Sequence, residues 1–277
     1  MKKFIALLLA LVMVMAFVAC GGEQTPTTPS TPSTAPSTTP STAPSTTPST
    51  APTEPSTAPS EPSVKVMTHA EFVAAPVDSP VVVETYFQGA QSWWQDAAVI
   101  YTQDQDGAYL LYKITCTKEQ FDLLKVGTKI RVTGYKAEYK GQMEIIDGTF
   151  EIIDGSYVAE PVDLTGKLSA SNIMDYQTML FSAKNLTVEV SKDKEGNEHA
   201  FLYNWDGSGQ QGSDLYFNVS ADGVTYNFCV ESYLTGADTD VYKAVEALKV
   251  GDKIDVQGFL YWYDGINPHI TAVTPAA

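Results

Sequence analysis

The residues of this chain best suited to surface chemistry are its Trp and Tyr side chains, which fall into two groups. Trp93, Trp94, Tyr101, Tyr109, Tyr112, Tyr135 and Tyr139 make the first; Tyr203, Trp205, Tyr216, Tyr261, Trp262 and Tyr263 make the second. Each offers a flat apolar face with a polar tip, which is what stacking on a sugar ring or a nucleobase requires. The residues assigned to ligand binding are Trp93, Trp94, Tyr101, Tyr109, Tyr112, Tyr135, Tyr139, Tyr203, Trp205 and Trp262. Roughly half of such rings on strands pack inward, because successive side chains alternate faces. Trp93 and Trp94 are adjacent in a loop, so at least one of them is expected outside or over an edge.

Catalytic constellations are thin. His69, His199 and His269 are far apart and none has a Cys or His partner at zinc spacing. The chain carries no nucleophile elbow, P-loop or dinucleotide glycine fingerprint. Asp104-Gln105-Asp106-Gly107 has the opening of a calcium loop but not its later ligands, and reads as a hairpin turn. The expectation is a non-enzymatic binding protein with no cofactor and no metal. Cys116 and Cys229 read as two partly buried thiols rather than a disulfide.

Charge bears on the partner. The 277 residues hold 17 Lys+Arg against 33 Asp+Glu, a formal net charge of −16. Acidic residues outnumber basic ones in both 64–158 and 159–277. A polyanion is repelled at long range by such a surface. Arg131 is the single arginine, so the guanidinium forks that grip phosphate or guanine are almost missing. Charge therefore argues against nucleic acid.

The elements that must position these rings are announced by a repeat. Residues 124–135 read LKVGTKIRVTGY and residues 248–259 read LKVGDKIDVQGF. Each is a helix end, a glycine stop, and a strand with alternating apolar positions. Repetition at this long spacing predicts two copies of one small β domain, at 64–158 and 159–277. In the first copy, strands are predicted at 81–87, 97–103, 108–114, 129–136 and 142–152. Capping boxes at Thr68/Glu71 and Thr117/Gln120 open short helices. In the second copy, strands are predicted at 179–190, 200–205, 215–219, 224–230, 253–260 and 268–273, with a helix over 239–248. The order β-β-β-α-β-β is that of an OB-fold. The fold class is thus all-β with one short helix per domain: two tandem OB-fold five-stranded Greek-key barrels after a disordered tail.

Upstream lies a targeting segment. Lys2 and Lys3 precede an apolar run over 4–18, too short for a comfortable membrane span. Residues 17–21, FVACG, resemble a bacterial lipobox. The resemblance implies cleavage before Cys20, a diacylglycerol anchor with palmitate-type chains on it, and a lipoprotein at the outer face of a Gram-positive cell membrane. Residues 1–20 are then the signal peptide and residues 21–63 a disordered Pro/Ser/Thr-rich stalk. The stretches VETYFQGAQSWW and DGAYLLYKI, with the two LKVG sentences, resemble tandem OB-fold lipoproteins of gut bacteria. That resemblance implies a surface lipoprotein, and OB-folds in general bind ligands across strands two and three. The leading expectation is a neutral glycan or a surface protein as partner, beside the membrane lipid held through Cys20. Single-stranded nucleic acid held by base stacking is one alternative, and an accessory part of a surface complex is another.

Overall fold

β-Branched and aromatic residues at alternating positions form strands that close into two rings. The computed structural model describes residues 65–276, which belong to one compact unit, Pro59–Ala277. The signal segment 1–20 with Cys20, and the tail 21–63, lie outside the described residues.

Thr68 caps α1 (His69–Ala74): its hydroxyl accepts from the Glu71 backbone while the Glu71 carboxylate accepts from Thr68 N at 2.9 Å. Such a box satisfies two donors that the helix start leaves open. The other end is held by the buried Lys136, whose Nζ donates to Val73 O and Ala75 O, both at 2.7 Å. The first barrel follows with β1 (Pro80–Ala90), β2 (Ala97–Gln103), β3 (Ala108–Thr115), α2 (Lys118–Leu123), β4 (Thr128–Tyr139) and β5 (Gln142–Ser156). The strands close in the order β1-β2-β3-β5-β4. β3 and β5 run parallel and the other neighbours antiparallel. Val83, Ile100, Leu111, Ile114, Ile130, Val132 and Ile145 fill the interior. Gly148 sits where β4 and β5 cross: a Cβ there would lie 2.3 Å from Thr133 O. α2 opens on the expected Thr117/Gln120 box and covers one end with Phe121 and Leu124.

The second ring is more elaborate. It comprises β6 (Val162–Asp163), β7 (Leu180–Glu189), β8 (Ser191–Lys192), β9 (Glu198–His199), β10 (Leu202–Tyr203), β11 (Leu215–Ala221), β12 (Val224–Val230), α3 (Ser232–Thr235), α4 (Asp240–Glu246), β13 (Lys253–Phe259) and β14 (His269–Pro275). The sheet order β10-β11-β12-β14-β13-β7-β6 is closed by pairing of β11 with β7. The ring β7-β11-β12-β14-β13 repeats the order of the first barrel, with α4 between its third and fourth strands. This is the OB-fold arrangement twice over. α4 sends Val241, Tyr242 and Val245 into a core with Phe181, Phe217, Phe228 and Ile254.

Two expectations need correction here. Residues 200–205 are not a barrel strand; only Leu202–Tyr203 pairs, along the edge of β11. Asn204 takes a left-handed φ of 59° and Gly209 N donates back to Tyr203 O at 2.9 Å, so the chain turns away. The barrel's second strand is β11, whose alternating burial matches a half-buried strand. The second barrel also carries more than one helix, because α3 precedes α4.

The barrels share a small third core. Tyr101 and Leu110 of the first pack with Phe259 of the second, beside Leu180, Leu234 and Tyr261. Tyr101 stacks on Phe259 with ring centroids 4.4 Å apart and planes 16° from parallel. Fully burying a side chain of this kind stabilises by about 1.5–3 kcal/mol. Two buried amides are satisfied across the same seam. Gln103 Oε1 accepts from Leu180 N at 2.8 Å, and Gln142 Nε2 donates to Thr178 Oγ1 at 2.8 Å while its Oε1 accepts from Trp262 N at 3.1 Å. Cys116 and Cys229 are buried free thiols.

Candidate functional site

In an OB-fold the outer faces of the second and third strands are the usual ligand face, and here much of that face is closed. Tyr101, on β2, is 1% exposed under Phe259, and its hydroxyl lies 2.5 Å from His269 Nδ1. Tyr109, on β3, is 1% exposed because strand alternation turns it into the first barrel, edge-on to Phe72. Neither ring has a face for a ligand, which corrects their assignment. Trp262 is half-buried against the second core, beside the β4–β5 turn. Tyr203 lies on the edge strand β10 and donates its hydroxyl to Glu246 Oε1 at 2.6 Å. Trp205 is exposed in the turn that follows. Tyr112, Tyr135 and Tyr139 are exposed on the outer face of β3 and β4.

Trp93 and Trp94 part company. Trp93 leans on the first core and its Nε1–H donates to Cys116 O at 2.9 Å. Trp94 is 72% exposed. The turn after it explains why. Trp94 N and Ala97 N each donate to the other residue's carbonyl, at 2.9 and 3.1 Å, and the two residues between them are both left-handed: Gln95 at φ 50° and Asp96 at φ 59°. A two-residue turn of this hand fits strand twist; Gly takes it freely, Asn and Asp at a lower cost than other side chains, and Gln95 adopts it under strain. The Trp94 ring is thereby stationed at the root of a tight turn.

A cleft of about 570 Å³ opens beside it. Its walls are Trp94 and Tyr233, the latter 66% exposed and carried by α3 of the second barrel. Gln91, Ser92 and Gln95 supply polar groups, and Lys113 supplies the one cation. No carboxylate is among the lining residues, although the chain holds 33 Asp+Glu. The two barrels fix the cleft's width together: Ser92 N donates to Tyr233 O at 2.8 Å and Gln91 Nε2 donates to Glu231 Oε2 at 3.3 Å. Behind it, burial followed by the nearby Asp214 pushes the Glu231 carboxyl up to about 7, and burial holds the His269 imidazole down at about 3.

Tyr233, Lys113 and the glutamines were invisible to sequence reasoning. Tyr233 is remote in sequence from Trp94 and sits in a four-residue helix without a motif. Lys113 faces outward because it is itself left-handed, at φ 51°, in the β3 irregularity. Among the described residues no group of three or more His, Cys, Asp or Glu could hold a metal ion.

No protein-family model matches the chain, and no curated protein matches it. Solved structures do. A murine DNA-binding protein bound to double-stranded DNA aligns at 10% identity over 72% of this chain and 96% of that one, with a TM-score of 0.34. The Ifi202 HINa domain in complex with double-stranded DNA aligns at 9% identity over 73% and 98%, with a TM-score of 0.30. A Replication Protein A heterotrimer bound to single-stranded DNA aligns at 10% identity over 78% of this chain and 70% of that one, with a TM-score of 0.27. The expectation of a neutral glycan or surface-protein ligand is overturned. The face assigned to that ligand is closed at Tyr101 and Tyr109.

Proposed function

We propose that the chain binds single-stranded nucleic acid by stacking unpaired bases in the cleft between the barrels. The observation that carries this is the pairing of two exposed rings, Trp94 and Tyr233, with amide groups and Lys113 in a lining free of carboxylates. Every base has a π-face, and stacking on an aromatic side chain is worth about 1–3 kcal/mol per base. Gln91 and Gln95 offer both donors and acceptors to a base edge. Lys113 can meet one phosphate, and the acidic balance of the chain opposes further phosphate contacts. The binding is therefore modest and carried by rings. Salt does not weaken it in the way that it weakens proteins releasing counterions from many phosphates.

The test is tryptophan fluorescence with a short oligothymidylate. Quenching on addition is expected, with loss of the response in Trp94→Ala and in Tyr233→Ala. Raising sodium chloride from about 50 to about 200 mM, which costs a phosphate-binding protein orders of magnitude, is expected to leave the affinity unchanged or improved. Absence of quenching, or quenching that survives both substitutions, rejects the proposal.

A further inference from the structure

A second recess lies around the outer face of β5 and shares only Lys113 with the first. Register places Glu144 opposite Leu110 of β3 and opposite Ala137 of β4, with Tyr139 opposite Gln142 one pleat away. Glu144 is 4% exposed, and among the described residues its carboxylate makes no hydrogen bond and no ion pair. Burial pushes its pKa up to about 7. A carboxylate stripped of most of its water, with only the groove side left open to solvent and no protein partner, is costly.

What surrounds Glu144 suggests the missing partner. Tyr112, Tyr139 and Tyr261 line the same groove, of about 580 Å³. Three carboxylates, Glu138, Glu144 and Asp147, face it against the single ammonium of Lys113. That ammonium already lies 5.2 Å from the centroid of the Tyr112 ring, so the wall accepts a cation against an aromatic face. The groove is also held in shape across the barrels. Lys140 Nζ pairs with Asp264 Oδ2 at 2.6 Å, Asp264 N donates to Lys140 O at 2.8 Å, and Tyr139 meets Tyr263 edge-on at 6.0 Å. Tyr261 is fixed from behind by stacking on His269 at 4.2 Å.

We infer that this groove binds an organic ammonium ion, with the ring faces of Tyr112, Tyr139 and Tyr261 around the cation and the Glu144 carboxylate facing its charge. A bare metal ion is a poorer fit, because it needs several oxygen ligands converging on one point, and among the described residues no group of three or more His, Cys, Asp or Glu is so placed. An alkylated ammonium needs no hydrogen bonds and is weakly hydrated, which suits aromatic walls. The acidic balance of the chain concentrates cations near it. This site stands independently of the nucleic-acid reading.

The experiment is calorimetric titration of the full chain with tetramethylammonium chloride, beside its neutral isostere tert-butanol and beside sodium chloride. Saturable heat is expected for the first alone. Glu144→Gln and Tyr112→Ala are each expected to weaken binding by roughly tenfold, the size of one charge or ring contact. Tyr112 is exposed, so its substitution leaves a folded protein even if Glu144→Gln does not. The inference is overturned by lack of saturable heat, by equal binding of tert-butanol, or by a Tyr112→Ala protein that binds as the parent does.

Discussion

Glu231 and His269 approach to 3.5 Å inside the seam, yet they are not an ion pair at neutral pH. Burial keeps His269 neutral, with its pKa moved from 6.5 to about 3. A neutral ring that accepts the Tyr101 hydroxyl at Nδ1 carries its proton on Nε2, toward Glu231 Oε1. Glu231 moves the other way, from 4.5 to about 7. The signs oppose. Between about pH 4.5 and 7 the unfolded chain ionises Glu231 before the folded one does, so this group removes stability as pH rises. Between about pH 6.5 and 3 the unfolded chain takes up a proton that folded His269 refuses, so that group removes stability as pH falls. Glu231→Gln eliminates the first effect alone. It is expected to raise the melting temperature by a few degrees at pH 8 and to leave it unchanged near pH 4. Thermal melts at the two pH values decide; an equal gain at both would show that the carboxyl's ionisation is not the cause. None of this was legible in the sequence, where His269 is an isolated histidine at a strand entry.

The turn between β1 and β2 is the element on which the proposed stacking site depends. Its two central residues, Gln95 and Asp96, hold positive φ without being glycine. Strain of this kind collects at functional positions, where the surrounding structure overrides it. Here the overriding contacts are visible: Cys116 N donates to Asp96 O at 2.9 Å, and Trp93 is tied to Cys116 O. Asp96→Gly is expected to stabilise the fold by about 1 kcal/mol, the size of one relieved left-handed residue. Urea unfolding measures the gain, and iodide quenching should find Trp94 as accessible as before. Destabilisation would mean that the Asp96 side chain contributes something the backbone account omits. Much else at this scale could be read from the chain. Thr68 and Thr117 announced their helices because a hydroxyl three residues before Glu or Gln is a local, self-contained signal. The LKVG repeat located β4 and β13 for the same reason. Residues 200–205 misled, since one residue, Asn204, ended an otherwise plausible strand.

At the scale of the molecule, the buried centre of the seam joins the barrels through rings and amides, and the Lys140–Asp264 ion pair lies at its exposed edge. Tyr101 is its centre, touching Phe259 and His269. Tyr101→Ala is expected to cost about 3–5 kcal/mol, as a buried large aromatic does when cut to Ala, and to separate the two barrels' unfolding. Calorimetry should then resolve two transitions where the parent gives one. A loss below about 1 kcal/mol with a single transition would show that the seam does not couple them. The same joint bounds the two clefts, because Tyr233 and Tyr261 both come from the second barrel to complete surfaces of the first.

Most strands, the capped helices and the acidity were fixed by residues near one another in the chain. Alternation, caps and glycine stops act over a few residues, and charge simply adds, so no knowledge of the third dimension is needed. Which rings are free was decided elsewhere. Tyr101 and Tyr112 look alike in sequence, and only the docking of Phe259 on one and of nothing on the other separates them. Glu144 is likewise an ordinary strand carboxylate until the second barrel's Tyr261 comes alongside to complete the groove it lines. Contacts between residues more than a hundred positions apart depend on how two closed surfaces meet, and that meeting leaves no periodicity in the chain that encodes it.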